Sequence, residues 1–113
     1  MNMIIGTTVF KLDGTAYYSP EFPRGGLAAT FVCDVTHLQG TPTVTITIEH
    51  RNHDGTSWAT AGTFASITAI GVKTADDVTD IQEVVRFKYE FDAGDQADDA
   101  IHFLMQAPSW RPY

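Results

Sequence analysis

Two stretches of this chain alternate apolar and polar residues almost without interruption, and that pattern restricts the fold before anything else does. Residues 43–49 read T-V-T-I-T-I-E, which puts Val44, Ile46 and Ile48 on one face and Thr43, Thr45, Thr47 and Glu49 on the other. Residues 84–91 read V-V-R-F-K-Y-E-F, with Val85, Phe87, Tyr89 and Phe91 opposite Val84, Arg86, Lys88 and Glu90. A period of two is a strand with one dry face and one wet face. Strands of that kind belong to antiparallel sheets, because parallel strands are usually covered on both sides.

Turn signals divide the rest of the chain into further strands. Residues 4–12 are rich in β-branched and aromatic types, and Asp13-Gly14 predicts a hairpin returning through 15–19. Pro20-Glu21-Phe22-Pro23-Arg24-Gly25-Gly26 reads as a loop, since two prolines cannot both serve a central ladder. Residues 27–36 follow as a strand with Ala29, Phe31, Cys33 and Val35 on the dry face. Gln39-Gly40-Thr41-Pro42 turns the chain into the strand 43–51. His53-Asp54-Gly55-Thr56 is the next hairpin signal, with Trp58 opening the returning strand. Residues 63–70 read as a short strand broken by Gly71, and 73–80 as a polar, acidic loop or short helical turn. After the strand 83–91 come an acidic loop over 92–99, a last strand over 100–107, and a proline-bracketed tail over 108–113. Seven or eight short strands with no helical period, repeat or linker predict one domain over 1–113. Its expected fold class is all-β: an antiparallel, jelly-roll-like β-sandwich.

Bulk properties narrow the partners. A chain of 113 residues buries roughly 65% of its unfolded surface on folding, enough for one core. The formal net charge of −7 repels a phosphate backbone and an anionic bilayer surface, so neither nucleic acid nor membrane is expected as a partner. No apolar run is long enough to span a bilayer, and Met1-Asn2-Met3-Ile4-Ile5 carries no signal-peptide pattern. One cysteine, Cys33, forms no internal disulfide, which suits a reducing compartment.

The chain offers little catalytic chemistry. Cys33 falls on a dry strand face, where a thiol behaves as a small inert hydrophobe. His37, His50, His53 and His102 lack the spacing of a zinc site. Asp92, Asp95, Asp98 and Asp99 surround Gly94, but their spacing is not that of a helix–loop–helix calcium site, and a solvated turn is the reading preferred over calcium. No nucleophile elbow, phosphate-binding glycine loop or H-E-x-x-H occurs. The expectation is a protein that is not an enzyme and needs no cofactor or metal.

Its aromatic and arginine residues are the stronger signal. Trp58 reads either as a plug at one end of the sandwich or as a platform for stacking a sugar ring. Phe22 and Arg24 flank Pro23 in a stiff loop closed by Gly25 and Gly26, which reads equally as a protrusion or as a crossover between sheets with Phe22 tucked into the core. Trp110, Arg111 and Tyr113 sit in the tail. Trp, Tyr and Arg are the residue types favoured at protein interfaces. Phe22, Arg24, Trp110, Arg111 and Tyr113 are therefore the expected contact residues. The tail reads equally as a docking segment or as a segment folded back on its own domain.

Residues 43–58, T-V-T-I-T-I-E-H-R-N-H-D-G-T-S-W, resemble small virion proteins of tailed bacteriophages, in which an alternating strand leads into a D-G-x-x-W hairpin. The segment E-V-V-R-F-K-Y-E-F and Phe22-Pro23-Arg24-Gly25-Gly26 extend the resemblance to about half the chain. It implies a capsid decoration, or cement, protein made in the host cytoplasm and carried on the outside of the virion. Its implied partners are the major capsid protein and further copies of itself, most often as a homotrimer. The competing readings are a carbohydrate- or host-binding module, and another head or tail subunit.

Overall fold

The computed structural model describes residues 16–92 and 99–112, together with the backbone of 5–10. Among these residues every regular element is a strand: β1 (Ile5–Phe10), β2 (Ala16–Tyr18), β3 (Phe22–Pro23), β4 (Ala28–Gln39), β5 (Val44–Arg51), β6 (Ala59–Thr63), β7 (Gly71–Val78), β8 (Val84–Phe91), β9 (Ala100–Met105) and β10 (Ser109–Arg111). They form two antiparallel sheets. In one, β4 is flanked by β7 on one side and by β9 and then β10 on the other, and β1 lies outside β9. In the other, β8 lies between β5 and the short pieces β2 and β3, and β6 lies outside β5.

Because β2 and β3 share one flank of β8, and β9 and β10 one flank of β4, the ten strands fill eight positions. Taken in chain order, the first position pairs with the eighth, the second with the seventh, the third with the sixth and the fourth with the fifth. That is one long hairpin rolled into two layers, the connectivity of a jelly roll. Its tip is the Asp54-Gly55 turn between β5 and β6, where the Gly55 N–H donates to the Asn52 carbonyl at 2.9 Å.

The alternating residues meet between the layers. Ala29, Phe31, Cys33, Val35, Ile101, Phe103 and Met105 from the β4 sheet face Val44, Ile46, Ile48, Val85, Phe87, Tyr89 and Phe91 from the β5 sheet. Rings lock the layers together: Phe31 meets Phe87 edge-on at 5.9 Å, and Tyr89 meets Phe103 at 5.2 Å. Each such side chain contributes about 1.5–3 kcal/mol by leaving water.

Several local expectations change. The Asp13-Gly14 turn lies outside the described residues, but the strands on either side of it do not form a hairpin. β1 pairs with β9 in one sheet and β2 with β8 in the other. The acidic stretch expected as a loop or helical turn is strand β7 up to Val78. Asp76 and Asp77 together oppose the single residue Thr30, a bulge with Asp77 at φ 50°, and this lets Ala75 and Val78 both reach the core three residues apart. β4 runs on to Gln39 rather than ending at Thr36, because the extra residue Thr36 shifts the register against β9 and turns Leu38 inward. The strand expected over 63–70 is reduced to an isolated bridge between Ile67 and Val44 beyond the end of β6. The expected loop over 20–26 contains β3, whose Phe22 and Pro23 lie opposite Val85 and Val84.

Candidate functional site

The tail folds back as a strand. β9 leaves β4 at the Met105–Cys33 pair, and β10 rejoins it at Ser109–Thr30. Three residues, Gln106, Ala107 and Pro108, thus oppose two, Phe31 and Val32. Pro108 lacks an N–H and suits the unpaired position of such a bulge. The extra residue inverts the alternation. Ile101, Phe103 and Met105 face inward at odd positions, yet after the bulge Trp110 does so at an even one. Trp110 meets Phe31 edge-on at 5.9 Å. Phe31 meets Phe87, and Phe87 meets Phe22 at 5.4 Å. Four rings therefore connect two of the sequence-predicted contact residues through the core.

The other face of Trp110 lies on Gly25. A Cβ at Gly25 would stand 2.6 Å from the indole Cδ1, and one at Gly26 would collide with the Arg111 carbonyl oxygen. The glycine pair is needed for this close approach of backbone to tail. Around it Arg24, Gly25, Gly26, Leu27, Trp110, Arg111 and Pro112 line an open groove of about 510 Å3. The groove unites three of the five expected contact residues. Phe22 stays half-buried against Phe87 just outside it. Tyr113 lies outside the described residues.

The groove walls are fixed by polar contacts. The Arg24 Nη1 donates to the Ile81 carbonyl at 2.7 Å, and the Ile81 N–H donates to the Leu27 carbonyl at 2.9 Å. Arg111 donates to Thr30 Oγ1 at 3.3 Å and pairs with Asp77 at 3.0 Å. Asp77 is 86% exposed, so that ion pair contributes no more than about 1 kcal/mol. It ties the Arg111 guanidinium to β7. Leu27 is 45% exposed and adds an apolar side chain to the lining of the groove. Leu27 and Asp77 join the site only through the fold. An apolar residue directly after two glycines was the available signal for the first. Nothing in the sequence marks the second, whose place depends on the β7 bulge.

A second constellation lies on the wet face of the β5 sheet. Trp58 is not a plug in the core. Its ring is covered by the Arg86 guanidinium at 4.1 Å and by that of Arg51 at 5.0 Å. Arg86 also lies over Tyr18 at 4.1 Å and bonds Glu49 at 2.8 Å. The indole is engaged by cation–π contacts worth about 0.5–2 kcal/mol each. A sugar stacking on a face so covered would have to displace a paired arginine.

The remaining candidates have structural surroundings. Cys33 is buried, and burial, reinforced by Asp34, pushes its thiol up to about 12, which keeps it protonated. Burial likewise pushes Tyr89 up to about 12. His50 is buried and held below its ordinary range by that burial, and its Nδ1 accepts the Gln82 N–H at 3.1 Å. Among the described residues no three His, Cys, Asp or Glu side chains gather as a metal site, and of the acidic loop only Asp92 and Asp99 are described. Compared with protein-family models, with curated proteins and with solved structures, the chain matches none.

Proposed function

We propose that this protein is a non-enzymatic structural subunit that attaches to the outside of a bacteriophage capsid as a decoration protein. The observation that carries this reading is the groove, in which Arg24, Leu27, Trp110 and Arg111 converge on one open site. Tryptophan and arginine are the residue types that anchor protein interfaces, Leu27 adds exposed apolar surface beside them, and the hydrogen bonds of Arg24 and Arg111 hold the two guanidinium groups without further ordering. The partner is the major capsid protein. The mechanism needs no chemistry: an anchor of modest strength, repeated over a symmetric shell, gains strength through multivalency and bridges neighbouring capsomers. The jelly roll itself does not choose between readings, since both viral shell proteins and lectins use it. The engagement of Trp58 by Arg86 favours the shell over the sugar.

The test is occupancy on undecorated capsids assembled from the major capsid protein of the same virus, counted by cryo-electron microscopy. Wild type should saturate its sites. Leu27→Glu, an exposed change that leaves the core intact, should lower occupancy at least tenfold. Unchanged occupancy in that variant, or no wild-type binding at all, would overturn the assignment.

A further inference from the structure

The four sheet edges of this sandwich are not equally protected. β7 is bulged at Asp76–Asp77 and carries Lys73. β6 spans five residues and shifts register against β5 between Ile48 and Glu49. The edge beside β8 is split into β2 and β3, three and two residues long, with Pro20 between them and Pro23 within β3. Shortness, prolines, bulges and charges are the usual means by which an edge is kept from pairing with another chain. β1 has none of them. It runs six residues, I-G-T-T-V-F, against β9 in unbroken register from Ile5–Met105 to Phe10–Ala100. No charge or proline occurs between Met1 and Phe10. Among the described residues no strand lies on its outer side.

We infer that β1 is a self-association edge, pairing antiparallel with β1 of a second copy to continue the β4 sheet across a two-fold axis. Self-complementarity favours a second copy over another partner. A two-fold normal to the sheet maps each face onto itself, so residues facing each other across it must share parity. Registers that satisfy this place Thr7 opposite Thr7, with Ile5 beside Val9, or Thr8 opposite Thr8. Threonine–threonine and β-branched pairs are favourable cross-strand neighbours. A closed ring of three would need β1 to meet a different edge of its neighbour, and each other described edge is short, bulged or interrupted by proline. An isologous contact closes on itself at two copies. This inference does not depend on attachment to a capsid.

The experiment is light scattering behind size exclusion on the full chain, with amide exchange of residues 5–10 followed at two concentrations. Wild type should run at twice the chain mass. All amides of β1 should be protected at high concentration, and only every second one after dilution. Thr8→Lys and Thr8→Glu should each run as monomers with the core amides of β5 and β8 still protected. An equimolar mixture of the two should recover the dimer, because opposite charges then lie directly opposite each other in the Thr8 register and diagonally across the axis in the Thr7 register. A wild-type monomer or trimer would overturn the inference. So would a dimer in which β1 keeps alternating protection or which both variants leave intact. Capsid occupancy is read separately, so loss of one proposal leaves the other standing.

Discussion

The β5–β8 ladder and the strands around β4 are built from the same residue types, yet they use them differently. β5 and β8 pair through eight consecutive positions, from Val44–Phe91 to Arg51–Val84, with no shift. β4 shifts register against β7 and again against β9, and a further extra residue separates β9 from β10. Each shift interrupts a ladder locally and inverts which face the following residues address. The residues so redirected are Leu38, Val78 and Trp110, all of which reach the core. The unbroken ladder provides a rigid floor. The bulged sheet turns its side chains where a regular strand would not, and the groove forms there.

That contrast can be broken from the ladder side, where the largest effect is expected. Inserting one alanine between Thr47 and Ile48 would turn Ile48 and His50 outward and bring Glu49 and Arg51 toward the core. Losing the buried isoleucine costs about 2–5 kcal/mol, and burying charges adds several more. This is comparable with the whole stability of such a domain. Chemical denaturation should show no cooperative transition. A variant that unfolds cooperatively near the wild-type midpoint would mean that the ladder tolerates slips as well as β4 does.

A smaller effect is expected at the junction of loop and tail. Gly26→Ala places a methyl group against the Arg111 carbonyl, and backbone gives way poorly, so a loss of about 1–3 kcal/mol is expected. With Trp58→Phe as background, Trp110 emission should shift to the red as β10 lifts. Unshifted emission would show that the tail is not held by this approach.

The smallest change sharpens the comparison at a single bulge. Asp77 sits at φ 50°, in the left-handed region that β-branched residues resist. Asp77→Val should cost about 1–2 kcal/mol in urea titration. Asp77→Gly should stay within about 0.5 kcal/mol of wild type, because relaxed backbone offsets the lost exposed ion pair. Equal losses in both would assign the effect to Arg111 rather than to the bulge.

The same contrast explains what could be read from the sequence. β5 and β8 were legible to within a residue or two, because a strand without insertions keeps its period. β7 is hidden by its polar, acidic composition, and the bulge that sets Ala75 and Val78 three apart removes the period that would mark it as a strand. The end of β4 was missed because Leu38 falls out of phase with Val35. The place of Trp110 stays open in the sequence, because continuing the phase of Phe103 and Met105 across Pro108 puts it on the wet side and only the bulge turns it inward. Phe22, Arg24, Trp110 and Arg111 could be nominated by residue type, but nothing in the sequence showed that three of them share one groove.

Composition and period alone determined an all-β sandwich of short antiparallel strands, with Val44, Ile46, Ile48, Phe87, Tyr89 and Phe91 in its core. Period two is a local property, fixed by the geometry of the extended chain, and it survives without knowledge of any neighbour. The rolled hairpin order, the three register shifts around β4, the return of the tail over Gly25 and Gly26 and the place of β1 outside β9 were decided by tertiary structure. A bulge is a relation between two strands distant in sequence, so it becomes visible only when the partner strand is in place.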